Sequence, residues 1–209
     1  DSDPSRGLGD VYKRQVLAQA SCKITQGEFL QMQISNKPNT KISDYFNVIG
    51  GKTAQLFGAS AQSGAIVANG SLQQVKAAFD YGYNMGLAFQ IIDDIMDYSS
   101  SNTQMGKNQG DDFKLGKTTL PIILAWEKSN KLEREFFLKS LQELKQEKGD
   151  FEKCCEILKK YSTLNRCKKI ANDFVIKAIN ALNEFSENDY KKALIDLSLI
   201  HISEPTRRI

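Results

Sequence analysis

The sequence predicts an all-α protein, and three observations lead to that prediction. Apolar residues recur with a helical period along almost the whole chain from Val16 onward. Only Pro38 and Pro121 interrupt the stretch between Val16 and Asp196, whereas a proline in a helix interior would break the helix. No segment shows the alternation of apolar and polar residues that is typical of a half-buried strand. We therefore expect one helical domain with a substantial core.

The first part of the chain is expected to form three helices. The first is predicted from Val16 to about Gln33, where the sequence SNKPN ends it. The second is predicted over roughly 42–68, with a bend at the pair Gly50 and Gly51. Ser71 starts the third helix, because Ser71 and Gln74 together form the capping-box pattern. Gly82 and Gly86 on that helix leave room for a close neighbour.

Residues 99–117, which are polar and rich in glycine, predict a loop after the third helix. Helix is expected to resume at about Thr118. The remaining segments read as amphipathic, lysine-rich helices with breaks near Gly149, Ser162 and Asn188. Their lysines are most simply interpreted as a solvated outer face.

The two ends of the chain do not read as natural protein. Ser5–Gln15 and Leu197–Arg207 can be encoded by the two strands of one DNA segment, with agreement at all eleven positions. That DNA resembles the adapter used to fragment genomes for sequencing. We therefore interpret residues 1–15 and 197–209 as translated adapter, and residues 16–196 as a truncated natural domain.

Composition narrows the classes of function. The chain carries 28 basic and 25 acidic residues, a balance that gives no support to nucleic-acid binding. Its single histidine, His201, lies in the adapter-like tail, so the natural part offers no histidine base or ligand. The four cysteines lack the paired spacing of a zinc site and read as the reduced thiols of a cytoplasmic protein. No run of 18 apolar residues occurs, so we expect no transmembrane segment.

The stretch GLAFQIIDDIMDY, residues 86–98, suggests a site. Gln90, Asp93, Asp94 and Asp97 follow the spacing i, i+3, i+4 and i+7, which places them on one helical stripe. Like charges at i and i+4 repel, so three carboxylates need a compensating cation or open solvent. A divalent metal and a solvated face therefore both remain as interpretations. A calcium EF-hand is excluded, because the alternating oxygen ligands and the terminal glutamate are missing.

Lysines accompany these carboxylates. Lys52 and Thr53 lie at the predicted bend, and the loop after the stripe supplies Lys107, Asp112 and Lys117. Carboxylates and lysines without a histidine or a cysteine nucleophile suit phosphate bound through Mg²⁺, which uses one or two carboxylates together with water and phosphate oxygens. The sequence therefore predicts a magnesium–phosphate site.

The order of these motifs resembles the trans-prenyltransferases, the polyprenyl diphosphate synthases. GLAFQIIDDIMDY followed by GKNQGDDFKLGKTTLP (Gly106–Pro121) is similar to that family's second aspartate-rich region, and TQGEFLQM and GGKTAQLF resemble its preceding segments. The sequence of this loop is most similar to that of long-chain bacterial octaprenyl and decaprenyl synthases, whose products supply the ubiquinone side chain. The implied fold is the C-terminal part of an all-α isoprenoid-synthase bundle around an apolar cavity, and the parent enzyme is expected to be a homodimer.

The resemblance also implies roles for individual residues. Asp93, Asp94 and Asp97 would hold Mg²⁺ on an allylic prenyl diphosphate, and Asp112 would complete the metal's outer shell. Phe89 would shield the carbocation, although plain core packing explains it equally well. Five residues would contact the diphosphate: Lys52, Thr53, Gln90, Lys107 and Lys117. Of these, Lys52 and Lys117 would also be catalytic, together with Asp93 and Asp94.

Three other interpretations compete with a synthase. A class I terpene cyclase uses a DDxxD helix but is not expected to carry the loop that follows here. A non-catalytic partner subunit of a heteromeric synthase tends to lose metal ligands, and this chain keeps them. If the chain were only a helical scaffold with acidic patches, the order of its motifs would be a coincidence. The family's first aspartate-rich motif, together with the residues that bind isopentenyl diphosphate and limit product length, is expected upstream of this chain, so the fragment alone is predicted to be inactive.

Overall fold

The computed structural model describes residues 4–99 and 109–203, with side chains described over 14–99 and 109–200. Within these ranges the chain forms helices and turns, without a strand. Among the described helices, none is both long and apolar enough to cross a membrane. The α-helices, in chain order, are α1 (Pro4–Ile34), α2 (Ile42–Ile49), α3 (Gln55–Val67), α4 (Leu72–Met96), α5 (Asp111–Lys114), α6 (Leu120–Lys128), α7 (Lys131–Phe137), α8 (Asp150–Lys160), α9 (Thr163–Ala181) and α10 (Asp189–Ser203).

Most of the predicted helix boundaries are confirmed. α1 ends at Ile34, and α8, α9 and α10 each begin at a predicted break. The capping box is present at the start of α4, where Ser71 Oγ accepts from the Gln74 backbone N–H and Gln74 Oε1 accepts from the Ser71 backbone N–H. Three boundaries differ. Ser129 and Asn130 form an unpredicted break between α6 and α7. α1 begins at Pro4 rather than Val16, and α5 forms a single turn inside the predicted loop, where Gly110 takes a left-handed backbone (φ 77°) and leads into it.

The bend predicted at Gly50 and Gly51 is instead a turn of π-helix, Gly50–Ala54, that joins α2 to α3 without a break. A side chain at Gly27 of α1 would meet the Lys52 backbone nitrogen at 2.4 Å. The absence of a side chain there therefore lets α1 lie directly against the π turn. π turns insert an extra residue into a helix and are frequent at functional sites. Here the turn presents Lys52 and Thr53.

α4 is the central helix of the bundle, and it packs against α3 on one side and α9 on another. The main core forms around it and includes fully buried Ile91 and Ala88 together with Leu120 of α6 and Val175 of α9. A second core lies around α6, α7 and α8 and contains Phe137. Since α4 is fixed from several sides, the polar residues near its end are held on a rigid support.

Gly82 makes the close approach of α3 to α4 possible, as the sequence predicted. A Cβ at position 82 would lie 2.3 Å from the Phe57 carbonyl oxygen, a backbone atom that cannot move alone. We expect Gly82→Ala to lower the free energy of unfolding by about 1–3 kcal/mol, because the two helices must separate. Gly64→Ala on α3 is the matched control, since a Cβ there meets nothing within 4 Å. That change is expected to stabilise by about 0.5–1 kcal/mol. Urea unfolding measures both, and equal effects would contradict the packing argument.

Ser198 belongs to the segment interpreted as translated adapter, yet it packs against the domain. Its side chain is fully buried, and its Oγ lies 3.2 Å from the Tyr81 hydroxyl. The physical reason is helix continuity. α10 runs without a break from Asp189 to Ser203, so Ser198 follows Leu194 by one turn and lies on the same face. The adapter origin of residues 1–15 and 197–209 stays a proposal, because a translated adapter can still continue a helix.

Candidate active site

A cavity of about 230 Å³ lies beside the C-terminal half of α4. Its wall combines side chains from α4, the π turn and the segment before α6. Apolar Ile34, Val48 and Ile49 also line it. Among the residues predicted for the site, six line this cavity: Lys52, Thr53, Gln90, Asp93, Asp94 and Lys117.

Asp94 is the most deeply buried of the aspartates, with only 2% of its side chain exposed. The Tyr45 hydroxyl donates to Oδ2 at 2.7 Å, and the Gln90 amide donates to Oδ1 at 3.0 Å. Burial raises the pKa of Asp94 to about 6, and the nearby positive charge of Lys117 opposes that rise. Burial and the Asp94 charge raise the pKa of Tyr45 well above its usual value, so the hydroxyl remains a proton donor.

Lys117 connects two carboxylates. Its Nζ lies 3.7 Å from Asp94 Oδ1 and 3.1 Å from each carboxylate oxygen of Asp112. Burial alone lowers the pKa of Lys117, but the charges of Asp94 and Asp112 raise it above its ordinary value. The lysine is therefore a fixed cation at the cavity wall.

Lys52 is held by α1. Its Nζ lies 3.1 Å from one carboxylate oxygen of Glu28 and 2.7 Å from Gln31 Oε1. Thr53, the next residue of the π turn, donates to Gln90 Oε1 at 2.9 Å. Because Gln90 in turn donates to Asp94, a continuous hydrogen-bonded path joins the π turn to the aspartates of α4.

The structure does not bring every predicted residue to this cavity. Asp97 is the C-cap residue of α4 and points to Asp112, whose backbone N–H donates to Asp97 Oδ2 at 3.1 Å. Burial and the Asp112 charge raise the pKa of Asp97 to about 6. Neither Asp97 nor Asp112 lines the cavity, so Asp93 and Asp94 line it together with Lys52 and Lys117, whereas Asp97, the third aspartate of the stripe, does not. The reason is that Asp97 lies one turn further along α4, at its end.

Phe89 is also placed elsewhere. It precedes Gln90, so it projects about 100° further round α4, and its ring lies 5.5 Å from that of Phe57 with 38% of the residue exposed. Phe89 does not line the cavity, and its predicted role as a shield of the carbocation stays a prediction. Lys107 lies outside the described residues.

Sequence reasoning missed Tyr45, Glu28 and Gln31. Tyr45 precedes Lys52 by seven residues, about two helical turns, and this spacing could have suggested a shared face. Glu28 and Gln31 belong to the TQGEFLQM stretch and follow the i, i+3 pattern. Nothing in the sequence shows which cation they contact.

The donor set fits Mg²⁺ bound together with a phosphate ligand. No three His, Cys, Asp or Glu side chains within the described residues could hold a metal ion by themselves. Magnesium needs fewer, since it is typically bound by one or two carboxylates with water and substrate phosphates completing the octahedron. Asp93 and Asp94 supply two such carboxylates beside Lys52 and Lys117.

Comparison with known proteins identifies the family of this chain. A family model described as polyprenyl synthetase matches residues 8–158. The chain belongs to the polyprenyl synthetase family. Octaprenyl diphosphate synthases of Haemophilus influenzae and Escherichia coli are each 34% identical to it, over 90% and 93% of this chain. The chain spans 56% and 60% of the length of these two relatives.

Solved structures of polyprenyl synthetase relatives show the same all-α fold. A decaprenyl diphosphate synthase from Rhodobacter capsulatus matches with a TM-score of 0.89 and 34% identity, covering 97% of this chain and 62% of that one. A polyprenyl synthase from Caulobacter crescentus, complexed with calcium and isoprenyl diphosphate, matches with a TM-score of 0.88 and 37% identity, covering 95% of this chain and 60% of that one. The predicted fold class and the resemblance to long-chain bacterial enzymes are confirmed.

Proposed function

We propose that this chain is part of a polyprenyl diphosphate synthase, a transferase that condenses an allylic prenyl diphosphate with isopentenyl diphosphate to make a long-chain polyprenyl diphosphate. The observation that carries the proposal is the cavity that brings Asp93 and Asp94 together with Lys52 and Lys117 in a chain of this family. Relatives named for octaprenyl and decaprenyl products favour a long chain. The product would serve the ubiquinone side chain, in a cytoplasmic, homodimeric parent enzyme.

The proposed reaction breaks the bond between the allylic carbon and the diphosphate oxygen. The bond's electron pair leaves with pyrophosphate, and the double bond of isopentenyl diphosphate attacks the resulting carbocation. The new carbon–carbon bond leaves a second carbocation, which loses a proton from the neighbouring carbon to the released pyrophosphate and so forms the double bond of the product. Charge therefore develops on pyrophosphate, and cations already in place stabilise it without reorganising. Lys117, fixed by Asp94 and Asp112, and Lys52, fixed by Glu28 and Gln31, are two such cations.

Asp93 and Asp94 would hold Mg²⁺, which supplies charge neutralisation at the phosphate oxygens when it is bound. The Caulobacter crescentus relative was solved with calcium and isoprenyl diphosphate, which supports a site for a divalent cation and a prenyl diphosphate in this family. Asp97 and Asp112 would act from the end of α4, where the Asp97–Asp112 contact fixes the segment that carries Lys117. Ile34, Val48 and Ile49 give the cavity an apolar side that limits access of water to a carbocation.

The experiment is a condensation assay with an upstream segment from the same gene joined to this chain. Purified protein is incubated with an allylic diphosphate, labelled isopentenyl diphosphate and MgCl₂, and the extracted lipids are separated by chain length. We expect labelled long-chain product that disappears when EDTA is added. A protein that forms product only after a second, different subunit is added would instead support the partner-subunit alternative.

A further inference from the structure

The Tyr45–Asp94 hydrogen bond is a structural feature that the proposed function does not use. Tyr45 belongs to α2, and its side chain is buried, with only 2% of the residue exposed. Its hydroxyl reaches 2.7 Å from Asp94 Oδ2, across 49 positions of sequence. The ring packs in the main core and lies 5.5 Å from the ring of Phe46. The ring is therefore explained by packing, whereas the hydroxyl is directed at one carboxylate.

The two oxygens of Asp94 are fixed by different elements. Tyr45 of α2 holds Oδ2, while Gln90 of α4 and Lys117 hold Oδ1. A carboxylate held at only one oxygen can swing about the bond that joins it to the side chain. Two donors from opposite sides fix its plane. Each oxygen has two lone-pair directions, so a hydrogen bond at Oδ2 still leaves that oxygen able to bind a cation.

From this arrangement we propose that Tyr45 is a positioning residue, which orients the Asp94 carboxylate for a divalent cation bound together with a diphosphate. The inference rests on the proposed function, because it assumes that the cavity binds a divalent cation together with a diphosphate. Removing a residue that hydrogen-bonds to a metal-binding side chain typically changes metal affinity or activity by about 10- to 100-fold. Gln90 cannot replace Tyr45, because Gln90 lies on the same helix as Asp94 and is bound to the other oxygen.

The test measures Mn²⁺ binding by electron paramagnetic resonance on this chain, with inorganic pyrophosphate present. Tyr45→Phe removes only the hydroxyl, and we expect it to raise the half-saturating Mn²⁺ concentration about tenfold. Tyr81→Phe is the matched control. Tyr81 is also buried, and its hydroxyl donates to the Leu194 carbonyl at 3.0 Å, away from the cavity. We expect Tyr81→Phe to change Mn²⁺ binding less than twofold, although it removes a comparable hydrogen bond.

A second comparison separates positioning from general loss of structure. If Tyr45 acts through Asp94, Tyr45→Phe has no further effect on Mn²⁺ binding in an Asp94→Asn background. Asp94→Asn also removes the buried negative charge that loses a hydrogen-bond donor in Tyr45→Phe. The double variant can therefore fold even if Tyr45→Phe alone is unstable. An equal loss in both backgrounds overturns the inference. So does unchanged binding by Tyr45→Phe, or no Mn²⁺ binding by the unaltered chain. The condensation assay judges the proposed function separately, because it is run on the protein with Tyr45 intact.

Discussion

Replacing Asp93 by asparagine in the protein with its upstream segment restored is expected to lower kcat by about 10²- to 10³-fold. Asp93 lies on the cavity wall beside Asp94 and is half-buried. Asparagine keeps the size of the side chain but loses the negative charge that attracts a divalent cation. Because the charge on the leaving pyrophosphate develops in the transition state, the loss falls on kcat rather than on KM alone. Steady-state condensation kinetics with saturating MgCl₂ measure it.

Asp80→Asn is the matched control for this change. Asp80 lies on the same helix, has a side chain that is 40% exposed, and pairs with Lys76 one turn earlier. Its removal should leave kcat within twofold, since exposed ion pairs contribute little. A similar loss of kcat from Asp80→Asn and Asp93→Asn would contradict a specific role for the cavity carboxylates.

Lys117→Ala belongs to the same prediction but has a second effect. It removes a cation near the diphosphate, so kcat should again fall by about 10²-fold or more. It also leaves buried Asp94 without its ion-pair partner, which is costly because an uncompensated charge remains in the interior. We therefore expect a lower Tm for Lys117→Ala with helical content unchanged at room temperature. Circular dichroism at 222 nm reports both quantities.

The parts of the fold that depend on local sequence were predictable. The Ser71–Gln74 box fixed the start of α4, and the spacing of Gln90, Asp93 and Asp94 placed them on one side of the helix. These features involve residues within a turn or two of each other, where helix geometry is sufficient.

The parts that depend on tertiary contacts were not predictable. A glycine pair is typical of a bend, but Gly50–Ala54 forms a π turn that packs closely against α1. The contact of Tyr45 with Asp94 joins separate helices, and no periodicity specifies it. Asp97 satisfied the stripe pattern, yet it is the C-cap residue of α4 and its side chain accepts from the Asp112 backbone N–H. Helical spacing predicts the side of the helix on which a residue lies, but it does not predict how far along the helix the cavity extends.

The 209-residue chain alone is expected to form no measurable polyprenyl product, and this is the second large effect. The chain spans 56% of the Haemophilus influenzae octaprenyl diphosphate synthase that it matches. Its described cavity offers Asp93 and Asp94, whereas no group of three metal-binding side chains occurs in the described residues. We propose that an upstream segment completes the metal site and binds isopentenyl diphosphate. Losing one element of a preorganised electrostatic site typically costs about 10²- to 10³-fold, so losing several elements should abolish turnover.

Binding and turnover should therefore separate in this chain. Lys52, Lys117 and the two cavity carboxylates are present, so Mn²⁺ and pyrophosphate should still bind. Condensation requires a second substrate held at reacting distance from the first, and proximity of that kind contributes up to about 7–11 kcal/mol to lowering the barrier. Incubation with an allylic diphosphate, labelled isopentenyl diphosphate and MgCl₂ tests this directly, with the extended protein as the positive control. Labelled elongated product from the 209-residue chain would show that its own residues bind both substrates, and the division of labour proposed here would be wrong.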